Sequence, residues 1–256
     1  MNNLVVAICS MIKDEQRYLR EWIEYHLGIG ISSIYLYEDD TNNSSSHLDI
    51  CKDYPNVHLG KFTDMVILNG KRINKQCVLW NKFIELYRND IDYVAFIDID
   101  EFVAFGEGYS LNDLIEDCNK RGATSLPWKC YGANMLEDNP SYRVVETFTK
   151  EATEFFDPNA YKSFVKLKGA NEGECMLNHH LHSSLKRLPH LKVNLNRYYL
   201  KHYVTKSFKE YYDKLNMRGD IMNMRRIKDF FRYNQDMVDR KEELINKYSY
   251  DTKTAL

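Results

Sequence analysis

The sequence predicts an α/β protein: a mostly parallel sheet flanked by helices, followed by a helical C-terminal region. Short apolar runs rich in β-branched and aromatic residues alternate with helical patterns from Leu4 to Trp128. Three of those runs finish in polar or acidic residues, and from Lys206 onward the pattern turns helical and charged. Strands alternating with helices at this spacing form parallel sheets, whose ligands bind beyond the carboxyl ends of the strands.

Leu4-Val5-Val6-Ala7-Ile8 reads as a first buried strand, and Leu19, Trp22, Ile23, His26 and Leu27 keep helical spacing after it, with Gly28 and Gly30 ending that helix. Ile34-Tyr35-Leu36-Tyr37 is a second strand finishing in Glu38-Asp39-Asp40, and Val57-His58-Leu59 a third. Residues Arg72 to Arg88 form a helix by pattern, with Val78, Leu79, Phe83, Ile84 and Leu86 inward. It leads into Tyr93-Val94-Ala95-Phe96-Ile97-Asp98-Ile99-Asp100-Glu101-Phe102, an apolar run interrupted by carboxylates. A helix from Leu111 to Arg121, a strand from Thr124 to Trp128 and strand-like segments at Lys162 to Lys166 and Tyr199 to Tyr203 follow.

Read as one strand, the Tyr93 run puts Asp98 and Asp100 on the same face, because residues two apart share a face. Paired carboxylates repel unless a cation lies between them, and oxygen-only ligands favour Mg²⁺ or Mn²⁺, which keep open positions for water and substrate phosphates. A phosphate-bearing substrate is implied. The polar strand ends at Ser10 to Glu15, Glu38 to Asp40 and Asp98 to Glu101 are expected to converge on one cleft.

Composition narrows the class only slightly. The chain has 256 residues, 44% hydrophobic and 28% charged, with a formal net charge of -2 that provides no global field for nucleic acid. Its 19 Tyr and 12 Phe suit stacking of rings or sugars, and suit ordinary core equally well. The six cysteines are scattered without a Cys-x-x-Cys pair, which points to a reducing compartment rather than a disulfide framework or a zinc knuckle. No leader pattern precedes Leu4, and no apolar run approaches the roughly 20 residues that span a bilayer, so a cytoplasmic location is expected. Lys201 to Lys247 holds seven Lys and five Arg against eight acidic residues. With Phe230, Phe231, Tyr233 and Met237 interleaved, the segment suits peripheral contact with anionic lipid, or a helix packed on its own sheet.

Several blocks resemble, in order, bacterial members of glycosyltransferase families 2 and 92, which have the GT-A nucleotide-sugar fold. Met11-Ile12-Lys13-Asp14-Glu15 followed by Leu19-Arg20-Glu21-Trp22-Ile23-Glu24-Tyr25-His26 resembles the family's opening, with Asp14 in place of the usual Asn. Gln76 and Asn81, Phe96 to Phe102, Trp128 to Gly132, Lys162-Ser163, and His202-Tyr203 with Lys206-Ser207 and Lys214 to Gly219 are similar to its later blocks.

The resemblance implies a GT-A-like domain over residues 1–205, with a helical extension over 206–256 packed on it. It implies an inverting transfer, of hexosyltransferase type, from a nucleotide-diphosphate sugar to a glycan or lipid-linked glycan hydroxyl. The donor is expected to be a UDP-sugar such as UDP-galactose, and the setting cell-surface polysaccharide or lipopolysaccharide assembly at the inner face of the membrane. Asp98 and Asp100 would hold Mn²⁺ or Mg²⁺ on the diphosphate, with His202 or His182 as a further ligand, His202 being favoured by its strand-like surroundings. Glu15, one of Glu38 or Asp39, Gln76, Asp98 and Lys206 would line the nucleotide site, with Lys214 and Arg218 as further candidates for its phosphates. Glu137 and Asp138 are the candidate general bases, against a solvated turn before Asn139-Pro140. Zinc at His179-His180-x-His182 is disfavoured for want of a cysteine or metalloprotease partner. Competing readings are a nucleotidyltransferase, whose Gly-rich basic loop is missing at Ser10 to Glu15, and a non-catalytic carbohydrate-binding or scaffold protein.

Overall fold

The computed structural model describes residues 4–39, 46–64, 67–68, 71–72, 74–152, 160–168, 174–177, 180–183, 186–187, 195–217 and 227–251. Asp40, His179 and Arg218, and the side chains of His180 and His182, lie outside the described residues. In chain order the elements are β1 (Val6–Ile12), α1 (Gln16–Gly28), β2 (Ser33–Asp39), α2 (Ser46–Cys51), β3 (Val57–Phe62), β4 (Ile67–Leu68), β5 (Lys71–Arg72), α3 (Lys75–Tyr87), β6 (Tyr93–Phe96), β7 (Glu101–Phe105) and α4 (Leu111–Asn119). They continue as β8 (Ala123–Cys130), α5 (Val144–Thr147), β9 (Tyr161–Lys166), β10 (Glu174–Leu177), β11 (His180–Ser183), β12 (Lys186–Arg187), β13 (Tyr198–His202), α6 (Phe208–Met217), α7 (Ile227–Tyr233) and α8 (Lys241–Asp251), with a 3₁₀ turn at Gln235–Arg240.

The chain divides into two compact units. The first comprises Met1–Trp128 and Pro158–Leu200, the second Lys129–Asp157 and Lys201–Leu256. Among the described residues the sheet order is β3-β2-β1-β6-β9-β8-β13-β7. Neighbours from β3 through β6 are parallel, and β9 runs antiparallel to both β6 and β8. The predicted α/β class, with a mostly parallel sheet and flanking helices, is therefore present. β1 runs to Ile12, four residues beyond the predicted end, because its pairing with β2 continues to Ile12 opposite Glu38.

The core of the first unit lies where α3 covers the sheet. Leu79, Trp80, Phe83 and Ile84 recur at helical spacing and pack against Ala7, Cys9, Val94 and Phe96, all essentially inaccessible to water. The second unit has its own core, in which Phe208 and Tyr211 of α6 meet Phe230 and Phe231 of α7 and Leu244 of α8.

The Tyr93 run is not one strand. β6 stops at Phe96, the Glu101 amide donates to the Asp98 carbonyl at 3.1 Å, and the Glu101 carboxylate accepts from the Asp98 amide at 2.9 Å. These two bonds close a turn from Asp98 to Glu101, so Asp98 and Asp100 belong to a turn between β6 and β7 rather than to one strand face. Contrary to the expectation from strand periodicity, the two carboxylates do not share a strand face, because β6 ends at Phe96 before either is reached.

α1 fixes the strand that leaves this turn. β7 ends the sheet order, and the polar groups of an edge strand need partners from outside the sheet. Trp22 Nε1 donates to the Glu101 carbonyl at 2.8 Å, and the Tyr25 hydroxyl to the Val103 carbonyl at 2.9 Å. The Val103 amide donates to His26 Nε2 at 3.2 Å, which places the ring proton on Nδ1, facing the Trp22 carbonyl at 2.8 Å. The Trp-x-x-Tyr-His spacing thus supplies three partners for one strand edge.

Burial holds His26 neutral and lowers its pKa to about 3, while the bond to the Trp22 carbonyl acts in the opposite sense. A histidine depressed in the folded state leaves the unfolded chain binding more protons below its ordinary pKa of 6.5. Its stabilising contribution is present above that value and declines as the pH falls toward about 3, by at most about 1.4 kcal/mol per pH unit. His26→Phe is expected to lower stability at pH 7 by about 1–3 kcal/mol, through the unpaired Val103 amide. It should also flatten the loss between pH 7 and pH 5. Urea midpoints at both pH values check this, and an unchanged slope in the variant would refute the neutral-histidine account.

Candidate active site

The acidic turn is built around a lysine. Lys162 projects from β9 with its side chain only 1% exposed, and its Nζ lies 2.6 Å from Asp98 Oδ2 and 3.6 Å from Glu101 Oε1. Antiparallel pairing of Phe96 with Ser163 sets Lys162 beside the point where the chain leaves β6 for the turn. The ammonium also lies 5.6 Å from the Trp80 ring centroid and 5.9 Å from that of Trp128. Burial pulls the Lys162 pKa down, but the charges of Asp98, Glu101 and Asp100 outweigh it and raise it above the ordinary value. Glu101 is fully buried, and that burial pushes its carboxyl well above the usual range, opposed by Lys162 and reinforced by Asp98 and Asp100.

The start of α3 reaches two neighbouring strand ends. Asn74 caps the helix by accepting from the Gln76 amide at 2.9 Å. Lys75 forms an ion pair with Asp39, and Gln76 Nε2 donates to Asp98 Oδ1 at 2.7 Å. Both oxygens of Asp98 therefore accept hydrogen bonds, while its side chain keeps 31% of its surface exposed.

A third cluster links Glu38 to Glu15. His47 is buried, its Nε2 accepts from the Glu15 amide at 3.2 Å, and its Nδ1 donates to Glu38 Oε1 at 2.7 Å. One neutral tautomer satisfies both bonds. Glu15 follows Asp14, whose φ of 54° is left-handed, a conformation that Asn and Asp tolerate better than most residues. The first unit thus links the predicted site residues Gln76 with Asp98, and Glu15 with Glu38 through His47, and it ties Asp39 to Lys75.

The remaining predicted residues lie in the second unit. Glu137 accepts from Arg240 Nη2 at 3.2 Å, from the Tyr248 hydroxyl at 2.9 Å and from Lys247. Lys247 foremost holds the Glu137 carboxyl below its usual range. Asp138 Oδ1 accepts from the neighbouring Asn139 amide at 2.8 Å. His202 is buried, with Nδ1 at 3.9 Å from Cys130 Sγ and its carbonyl accepting from the Tyr131 amide at 3.0 Å. Lys206 has a φ of 51° and precedes Ser207, whose hydroxyl bonds Glu210 at 2.7 Å across the start of α6.

Lys162, Lys75 and His47 carry this geometry without having been assigned roles from sequence. For Lys162 a signal was present. A lysine within Tyr161-Lys162-Ser163-Phe164-Val165 has no water to reach if that strand is central, so it needs a buried anion.

Asp98 and Asp100 offer only carboxylate oxygens, the donor type that suits a hard divalent cation, with Asp98 partly exposed and Asp100 buried. Among the described residues, no three of His, Cys, Asp and Glu stand together as a metal cluster. Mg²⁺ is commonly held by one or two protein carboxylates, with water and substrate phosphate completing the shell, and this donor set fits that chemistry.

A group of parallel strands with acidic ends, covered by helices, defines an α/β domain whose strand ends carry the candidate site. The chain belongs to glycosyltransferase family 92, whose family model matches residues 2–255. A family 92 protein of Ricinus communis is 26% identical over 189 residues, covering 69% of this chain and 31% of that protein. One of Oryza sativa subsp. japonica is 21% identical over 216 residues, covering 83% and 35%. The chain therefore spans about a third of the length of these relatives. Among solved structures, a proposed nucleotide-diphospho-sugar transferase of Desulfovibrio desulfuricans overlaps 48% of this chain and 58% of its own, at 9% identity and a TM-score of 0.32. The 4-diphosphocytidyl-2C-methyl-D-erythritol synthase of Anaerococcus prevotii overlaps 64% and 71%, at 10% identity and a TM-score of 0.35.

The three donors on Glu137 make it an anchor for α8. Glu137→Gln is expected to cost about 1 kcal/mol, since the pairs are partly exposed, and to speed amide exchange in α8 selectively. Hydrogen exchange measured by residue checks this, and uniform protection in the variant would exclude the anchoring role.

Proposed function

We propose that this protein transfers a sugar, with inversion, from a nucleotide-diphosphate donor to a glycan hydroxyl. The observation that carries the reading is the exposed side of Asp98, held rigidly by Gln76 and Lys162 beyond the carboxyl end of a parallel strand, in a chain matched by family 92 over nearly its whole length. Such strand ends are where open α/β sheets bind nucleotides.

In this proposal Asp98 and Asp100 hold Mn²⁺ or Mg²⁺ at the donor diphosphate. The bound cation supplies Lewis-acid stabilisation to the leaving nucleoside diphosphate. Gln76 and Lys162 keep Asp98 in one rotamer, so its orientation does not have to be reorganised during the reaction. Glu38, oriented by His47, and Glu15 face the base and ribose, and Lys206 assists the phosphates. Asp138 takes the proton of the acceptor hydroxyl. It is preferred to Glu137, because a carboxylate already holding three donors is the weaker base. His202 remains the proposed additional ligand.

We further propose a UDP-sugar donor, with UDP-galactose the first to try, and a glycan or lipid-linked glycan acceptor of cell-surface polysaccharide or lipopolysaccharide. The protein would work in the cytoplasm at the inner face of the membrane, with the basic C-terminal helices touching lipid peripherally. Among the described residues no helix is long and apolar enough to cross a membrane.

Calorimetric titration of UDP in the presence of Mn²⁺ tests the donor site. Binding is expected in the wild type and should be lost in the Asp98→Asn, Asp100→Asn double variant, whereas a folded wild type that binds neither UDP nor GDP would sink the reading. Asp138→Asn is expected to retain UDP binding while transfer falls by about 10²-fold or more. Full turnover in that variant would move the base elsewhere.

A further inference from the structure

The first cation at the acidic turn is the protein's own. Lys162 Nζ sits 2.6 Å from Asp98 and 3.6 Å from Glu101. It cannot swing aside into solvent, because its side chain is buried, indole rings lie near its Nζ, and β9 is paired along β6. A lone divalent ion approaching Asp98 therefore meets a fixed positive charge within a few ångströms, in surroundings that screen poorly. A diphosphate changes that balance, since its negative charge is attracted by both the ammonium and the metal.

We propose that Lys162 is a resident counter-cation that keeps the acidic turn from loading a divalent metal by itself, so that metal and nucleoside diphosphate enter together. This rests on the reading of Asp98 and Asp100 as the donor metal site. It goes beyond that reading by assigning a role to Lys162 and an order to binding. Lys162 acts through Asp98, with which it is paired, so it is a positioning residue. Two consequences separate this role from simple structural support. Mn²⁺ and nucleotide bind with strong positive coupling, and a neutral side chain at position 162 weakens that coupling by strengthening the binding of metal alone.

The test uses the full chain and the electron paramagnetic resonance signal of free Mn²⁺, titrated with and without UDP and corrected against protein-free mixtures of Mn²⁺ and UDP. For the wild type, UDP is expected to raise Mn²⁺ affinity by at least about tenfold, within the usual range of coupling between sites. Lys162→Gln should bind Mn²⁺ without UDP about tenfold more tightly than the wild type, because the repulsion is gone. Lys162→Arg, which keeps the charge, should behave as the wild type. Circular dichroism and urea unfolding establish that each variant is folded. If Lys162→Gln does not fold, the wild-type coupling alone decides, and tight Mn²⁺ binding without nucleotide overturns the proposal. Equal Mn²⁺ affinities in a folded Lys162→Gln and the wild type also overturn it, while leaving the donor-site reading intact if UDP binds. Failure of UDP to bind any form, with or without Mn²⁺, overturns the donor-site reading and this inference together.

Discussion

A buried ammonium has to be paired, and much of the first unit is arranged around meeting that demand. Transferring the Lys162 charge out of water is costly unless anions face it, and Asp98, Glu101 and Asp100 are the groups that do so. Because Lys162 belongs to β9, the antiparallel pairing of β9 with β6 decides where those carboxylates must stand. Trp80 of α3 and Trp128 of β8 approach the same ammonium, so a helix, three strands and a turn share a single electrostatic constraint. Removing one partner of such a group leaves the others uncompensated, at a cost in stability.

The turn is held from its other side by α1. Trp22, Tyr25 and His26 are spaced to lie along one helix face, and they meet backbone groups of β7 that the sheet leaves without partners. Residues that look like a recognition motif in the sequence thus act, in this fold, as partners for a strand edge. The start of α3 does something similar for the strand ends, with Lys75 serving Asp39 and Gln76 serving Asp98. The carboxylates at the ends of β2 and β6 are therefore oriented by helices on the same unit, and their directions are set before any ligand arrives.

Legibility varied with the range of the interaction. The helix from Gln16 to Gly28 and the strand from Ser33 to Asp39 were readable, because apolar spacing reports local periodicity directly. The break after Phe96 was not readable, since Ile97 and Ile99 continue the apolar alternation while the turn depends on Glu101 bonding back to Asp98. Gln76 was singled out and does meet Asp98, whereas His47, which joins Glu38 to Glu15 across more than 30 residues, left no trace in the pattern. Glu137 illustrates the same limit. As one of two adjacent acids it looked equivalent to Asp138, and only the return of α8 distinguishes them. Nor did composition mark residues 129–157 as joining the C-terminal helices in one unit.

The sequence by itself determined the α/β class, the order of most elements and the acidic strand ends, because hydrophobic period and residue type are local properties. The tertiary structure alone decided which acids are held and by what. Asp98 became a rigid carboxylate because β9 carries Lys162 to it from 64 positions away. Glu137 became an anchor because Arg240, Lys247 and Tyr248 return to it from the C-terminal helices. The charge state and orientation of a buried group depend on neighbours brought together by folding, and neither periodicity nor composition encodes those neighbours.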